Sequence, residues 1–265
     1  MHIATTPEYQ AIALELEHLN AEFTELFTRH KAMVDNDAVV LTSLYLQTLG
    51  VLQLDLLRMQ TESARLKKKI KMVQAAYNRQ QMPDLAAIEY ALDQELKAYY
   101  NEIEAQAAAI DHTQKVLSTL LSVEETQELK EVFRVLCKRL HPDLNPMQSE
   151  EEKDLFVKVK AAYDLQRLAD LQQILLFLDG KGAKLKSAEL TDDQKQAQIK
   201  LLHKRIAELK EKIAKLQESF PFNIEAFLHD EEQVRERRME LKTKITAVEE
   251  DILKSRKLLD MMLDS

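Results

Sequence analysis

Glycine is nearly missing from this chain, with three residues in 265, and proline is scarce at five. Tight β-turns draw on those two residue types, so a strand-rich fold has little to be built from. The single cysteine, Cys137, excludes a disulfide framework and a thiolate zinc site by count. A buried, inert thiol is the state expected for it. The sequence holds no Gly-rich phosphate loop, no nucleophile elbow and no metal-spaced set of His and Cys. No catalytic residue, metal ligand or cofactor site is therefore assigned. No basic start followed by an apolar run and a small-residue cleavage site is found, which makes a cytoplasmic, reducing location the expectation. The nearest approach to a membrane span is the stretch 38–57, but Gln47, Gln53 and Asp55 interrupt it. A helix buried on two sides is expected there, not a stable span.

What is abundant is Leu, Ala, Glu, Lys and Gln, with 31% of residues charged. That is the composition of long helices, and the fold class expected is all-α, with two domains suggested by length. The net charge of -8 argues against a nucleic-acid partner, since phosphate binding needs a basic surface.

Apolar residues recur at alternating steps of three and four through most of the chain. Tyr9, Ile12, Leu16, Leu19, Phe23, Leu26, His30 and Met33 form a first seam, with Pro7 opening the helix. His30 reads as a packed seam residue. Asp35, Asn36 and Asp37 suggest a turn, after which Tyr45 to Tyr77 form a second seam. Met82-Pro83-Asp84 breaks that helix, and Leu85 to Leu117 return along it. Residues 1–121 are accordingly expected to form a three-helix antiparallel coiled-coil stalk. Gly180 and Gly182 place a linker at 180–190. Thr191 and Gln194 then cap a helix seamed by Ile199, Leu202, Ile206, Leu209, Ile213 and Leu216. Phe220-Pro221-Phe222-Asn223 suggests a turn, so 191–265 is expected to be an antiparallel coiled-coil hairpin, or half of a four-helix dimer, which would make the protein a homo-oligomer.

Between these arms lies the stretch on which function is read. Leu129, Phe133, Leu136 and Leu140 share one helix face, leaving Lys130, Arg134 and Lys138 along another. Pro142 stops that helix at His141, because it lacks an amide hydrogen and disfavours α geometry in the residue before it. Ser149 with Glu152 makes a capping box for a second amphipathic helix carrying Phe156, Val159 and Tyr163. Two such helices bury their faces by folding back, which holds the loop at the hairpin tip.

The segment resembles the J-domain of DnaJ-type co-chaperones. The likeness is carried by Phe133-Arg134 and Leu136, then Arg139-Leu140-His141-Pro142-Asp143, Asn145-Pro146, and Phe156, Val159, Ala162 and Tyr163. It covers roughly a quarter of the chain and is placed at residues 122–179. The resemblance implies docking on a DnaK-class (heat-shock 70) chaperone and stimulation of its ATP hydrolysis. It makes His141, Pro142 and Asp143 the signalling loop, with Lys130, Arg134, Lys138, Arg139 and Asn145 at the docking face. The zinc-binding cysteine repeats and Gly/Phe-rich linker of larger DnaJ proteins are absent, which fits the minimal class. Leu144 stands where the family often has arginine, and Leu117 to Val123 replace its Leu-Gly-Val-like turn.

Two functions follow. In the first, the protein is a co-chaperone whose coiled-coil arms select a client or anchoring partner. In the second it is a coiled-coil scaffold with a degenerate, non-stimulating J-like element. Exposure of the 141–143 loop separates them: a loop buried against the stalk favours the scaffold.

Overall fold

The computed structural model describes residues 7–117, 121–180 and 191–264, and over these residues the protein is all-helical. The first helices are α1 (Pro7–Ala32), α2 (Ala38–Tyr45) and α3 (Val51–Asn78), followed by α4 (Leu85–Leu117). Next come α5 (Val123–Leu140), α6 (Glu150–Asp164) and α7 (Leu168–Gly180). The last are α8 (Asp192–Glu218), the short α9 (Glu225–His229) and α10 (Glu231–Leu263).

Local chemistry sets most of these boundaries. Capping boxes are present at Ser122 and Glu125, at Ser149 and Glu152, and at Thr191 and Gln194, each pairing two otherwise orphaned amides. Asp84 caps α4 by accepting from the Ala87 amide at 3.0 Å, and Asp230 caps α10 through the amides of Glu232 and Gln233. α3 closes at Gln80 and α6 at Gln166, both left-handed with φ of 58° and 53°. In each case a following amide returns to the helix's last turn, Gln81 to the Ala76 carbonyl at 3.1 Å and Arg167 to the Ala162 carbonyl at 2.8 Å. The expected linker at 180–190 lies almost wholly outside the described residues.

The turn expected at Asp35, Asn36 and Asp37 does not form. Residues Met33–Asp37 are a π-helical turn, and Leu46–Gly50 are another. No proline or second glycine breaks the backbone there, so an extra residue is absorbed as a bulge in a continuing helix. The polar trio is taken up by other side chains instead, one of them local and two distant in the chain. Asp35 pairs with Lys31 at 2.8 Å, Asp37 with Lys130 at 2.9 Å, and the Gln166 amide donates to Asn36 Oδ1 at 3.2 Å.

Two compact units divide the chain: Met1–Val39 with Leu120–Asn223, and Val40–Thr119 with Ile224–Ser265. This replaces the three-helix stalk expected over 1–121 and the hairpin expected over 191–265. In the first unit α1 packs on α8 and α5, and α5, α6 and α7 pack on one another. α1 and α8 run parallel, since Glu15 meets His203 at 3.4 Å and Glu22, one heptad on, meets Lys210 at 2.7 Å. Leu19, Phe23, Leu202, Ile206 and Leu209 fill the space between them.

In the second unit α3 packs on α4 and α10, around Leu66, Val73, Ile88, Leu92, Ile252 and Leu259. Arg65 ties α3 to α4, meeting Asp93 at 2.6 Å, the Tyr100 hydroxyl at 3.0 Å, and Glu89. Ser63 donates to Asp251 of α10 at 2.6 Å. Within the apolar stretch 38–57, Leu49, Gly50 and Leu54 are buried, and the π turn at 46–50 meets both α4 and α10. By length and composition the helical run Ala11–Asn78 is apolar enough to cross a membrane. An apolar seam identifies a face that must be covered but not the helix that covers it, which is why the pairing departs from expectation while the helices themselves agree.

Candidate functional site

The site grows from α5. Leu129, Phe133, Leu136, Cys137 and Leu140 are buried together with Phe156, Val159, Ala162 and Tyr163 of α6 and Leu171 and Leu178 of α7. Phe133 stacks on Tyr163 with centroids 4.0 Å apart, while His141 meets Phe156 at 5.0 Å. Contacts that descend along α6 as they ascend along α5 make the two helices antiparallel. Burial of each large apolar side chain here contributes about 2 kcal/mol. The same burial pushes the Cys137 thiol well above its ordinary pKa, so it is held protonated.

α5 ends as Pro142 requires. The His141 amide still bonds the Cys137 carbonyl at 2.9 Å, but His141 itself is extended, with φ -69° and ψ 129°. The chain then turns tightly: the Leu144 and Asn145 amides both donate to the His141 carbonyl, at 3.0 and 2.9 Å. The Asp143 amide donates to His141 Nδ1 at 3.0 Å, so in the neutral ring the proton sits on Nε2. The Asn145 side chain seals the turn by donating to the Lys138 and His141 carbonyls, each at 3.3 Å.

This loop does not stand free. His141 is only 8% exposed, and its ring lies edge-on to Phe23 and Phe27 of α1 at 4.9 and 4.6 Å, as well as to Phe156. Burial lowers its pKa to about 4; Asp143 opposes that shift, while Lys160 and Arg205 reinforce it. Leu144 joins the apolar cluster between α1 and α8. From α8, Arg205 Nε approaches Asp143 Oδ2 at 3.3 Å, and the Gln198 amide donates to the Asp143 backbone carbonyl. Pro142 keeps an exposed face.

The basic residues named from sequence are engaged as well. Lys130 meets Asp37 at 2.9 Å and Arg134 meets Glu25 at 3.6 Å, while Arg139 meets Asp179 at 2.5 Å. Lys138 is exposed. The structure therefore brings His141, Asp143 and Asn145 into one turn and sets Lys130 and Arg134 along the edge of α5 that faces α1. Four participants escape a reading centred on residues 129–163: Phe23, Phe27, Gln198 and Arg205. Phe23 is a seam residue and Phe27 an apolar position beside that seam. Gln198 and Arg205 stand one heptad apart on α8, a spacing that puts two polar groups on one helix face. Among the described residues no group of three or more His, Cys, Asp or Glu side chains could hold a metal ion.

Comparison of the chain with protein-family models, with curated proteins and with solved structures finds no match.

Proposed function

We propose that residues 122–179 form a J-domain-like module and that the protein is a co-chaperone for a DnaK-class chaperone, its docking surface closed by its own helices. The observation that carries this reading is the His141-Pro142-Asp143 turn at the tip of the antiparallel α5–α6 hairpin. There the His141 ring accepts the Asp143 amide, so the orientation of the turn is fixed before any partner arrives. The basic side chains of Lys130, Arg134, Lys138 and Arg139 on the helix leading into the turn support it further. In this mechanism the Asp143 carboxylate accepts a bidentate pair from a partner arginine. The basic edge of α5 adds electrostatic steering. A partner so engaged is driven toward its hydrolysis-competent conformation to the extent that this conformation binds better. The long seamed helices act as coiled-coil arms that choose a client or anchoring protein in the cytoplasm.

A scaffold built on a non-stimulating J-like hairpin is the second reading. Loop exposure, the feature that separates the two readings, falls on its side: His141 is buried against Phe23 and Phe27, Arg134 pairs with Glu25 of α1 and Lys130 with Asp37 of the π turn that follows it. Steady-state ATP hydrolysis by a DnaK-class chaperone from the same organism distinguishes the two. The assay uses the wild-type protein and Arg205→Glu, each with and without His141→Gln or Asp143→Asn, all checked for folding by circular dichroism. Stimulation by the wild type or by Arg205→Glu that vanishes with either loop substitution supports the co-chaperone. No stimulation by any variant leaves the scaffold.

A further inference from the structure

We infer that α8 is a latch: Arg205 and Gln198 clamp Asp143 and hold the 141–145 loop shut against α1, and a partner binds only after the clamp opens. The inference rests on the co-chaperone reading for its consequence, though not for the existence of the clamp.

Asp143 offers a binding partner two strong acceptors, its carboxylate and its backbone carbonyl, and α8 takes both. Arg205 Nε lies 3.3 Å from Oδ2, and Gln198 donates to the carbonyl oxygen. A guanidinium from another protein would have to displace the Arg205 guanidinium from the carboxylate, which is 25% exposed. Leu144 reinforces the closure, since it is seated in the cluster formed by Leu19, Phe23, Leu202 and Ile206. Lifting the loop from α8 therefore exposes apolar surface as well as breaking polar contacts.

The adjoining edge repeats the arrangement with charges of the opposite kind. Glu25 and Asp37 sit on Arg134 and Lys130, so the chain supplies to its own basic edge the negative charge that an acidic partner surface would bring. α1, the π turn after it and α8 together thus present an internal stand-in: carboxylates for the basic helix and a guanidinium for the aspartate. If open molecules are a minor fraction, the apparent affinity for a partner falls by that fraction. The clamp then sets how much protein is needed to act.

Half-exposed ion pairs of this kind are worth only a few-fold each, so the latch opens readily and a single substitution shifts it measurably. The test is hydrogen exchange of the full-length protein at the amides of Asp143, Leu144 and Asn145: each is bonded within the turn, and what α8 adds is the cover that keeps the turn from fraying into solvent, so the change on opening the clamp reports that cover. Arg205→Glu replaces attraction by repulsion, and exchange at these amides is expected to rise about fivefold to tenfold. The charge-swapped pair D143R/R205E is expected to restore most of the protection. Lys210→Ala removes an ion pair between α8 and Glu22 of α1 without touching the loop, and should leave loop exchange unchanged. Unchanged loop exchange in Arg205→Glu overturns the latch, as does an equal rise in Lys210→Ala.

ATP hydrolysis by the DnaK-class chaperone is the second arm. Arg205→Glu should reach half-maximal stimulation at a several-fold lower concentration than wild type, while D143R/R205E should not stimulate. Faster loop exchange with no stimulation by Arg205→Glu refutes the co-chaperone reading and leaves the clamp in place. Stimulation by Arg205→Glu equal to wild type, despite faster exchange, overturns the latch as a control on partner binding.

Discussion

Acidification should destabilise the first unit through His141, and by a calculable amount. The ring is buried among Phe23, Phe27 and Phe156, its Nδ1 accepts the Asp143 amide, and its pKa falls from 6.5 to about 4 in the folded protein. Between those values the unfolded chain binds a proton at this position and the folded one does not. Stability therefore rises with pH across the window, is fully present above about pH 6.5, and is lost as pH falls toward 4. At 1.36 kcal/mol per unit, the loss is about 2 kcal/mol at pH 5 and about 3 kcal/mol at full protonation. His30, also lowered by burial and by Lys212, adds a loss of the same sign. The measurement is therefore a difference: urea unfolding of wild type and of His141→Gln at pH 7.5 and pH 5. The substitution lowers stability at both pH values, since it removes ring packing, but wild type should lose about 2 kcal/mol more than the variant on acidification. The His141 ring resonances, followed by NMR, should titrate far below 6.5. A midpoint near 6.5, or equal pH dependence in the two proteins, would refute the buried, neutral histidine and with it the closed loop.

Phe133→Ala should cost about 3–5 kcal/mol, because Phe133 is fully buried and stacks on Tyr163 at the centre of the α5–α6–α7 core. Urea unfolding would show it, and a cost below 1 kcal/mol would argue against that core. Cys137 is buried with its thiol pKa pushed up, so a thiol reagent at pH 8 should label it only on unfolding. Rapid labelling of the folded protein would count against the packing of α5.

Much of the local structure was legible because its causes are local. The capping boxes at Ser149 and Thr191, the stop imposed by Pro142 and the apolar face of α5 are each settled by residues within one or two helical turns of one another. The π turn at 33–37 was not legible, because Asp35, Asn36 and Asp37 have turn-forming side chains that are instead spent on Lys31, Gln166 and Lys130. Those partners lie both near and far in the chain, and no local pattern announces the distant ones. At the candidate site, the sequence named His141, Asp143, Asn145 and the basic edge of α5, but expected them to project outward.

The heptad seams explain the division. Spacing of apolar residues establishes that α1, α3, α4, α8 and α10 are helices with one face to bury, since that burial stabilises a helix whatever covers it. Nearly identical seams of Leu and Ile carry little information about which helix does the covering. That choice rests on a few specific contacts between distant segments, such as Glu22 with Lys210 and Ser63 with Asp251. The sequence by itself determined an all-helical chain with a rigid His-Pro-Asp turn between two amphipathic helices. Only the tertiary structure decided that α1 and α8 lie parallel and close over that turn, because the pairing depends on contacts between segments that no local periodicity relates.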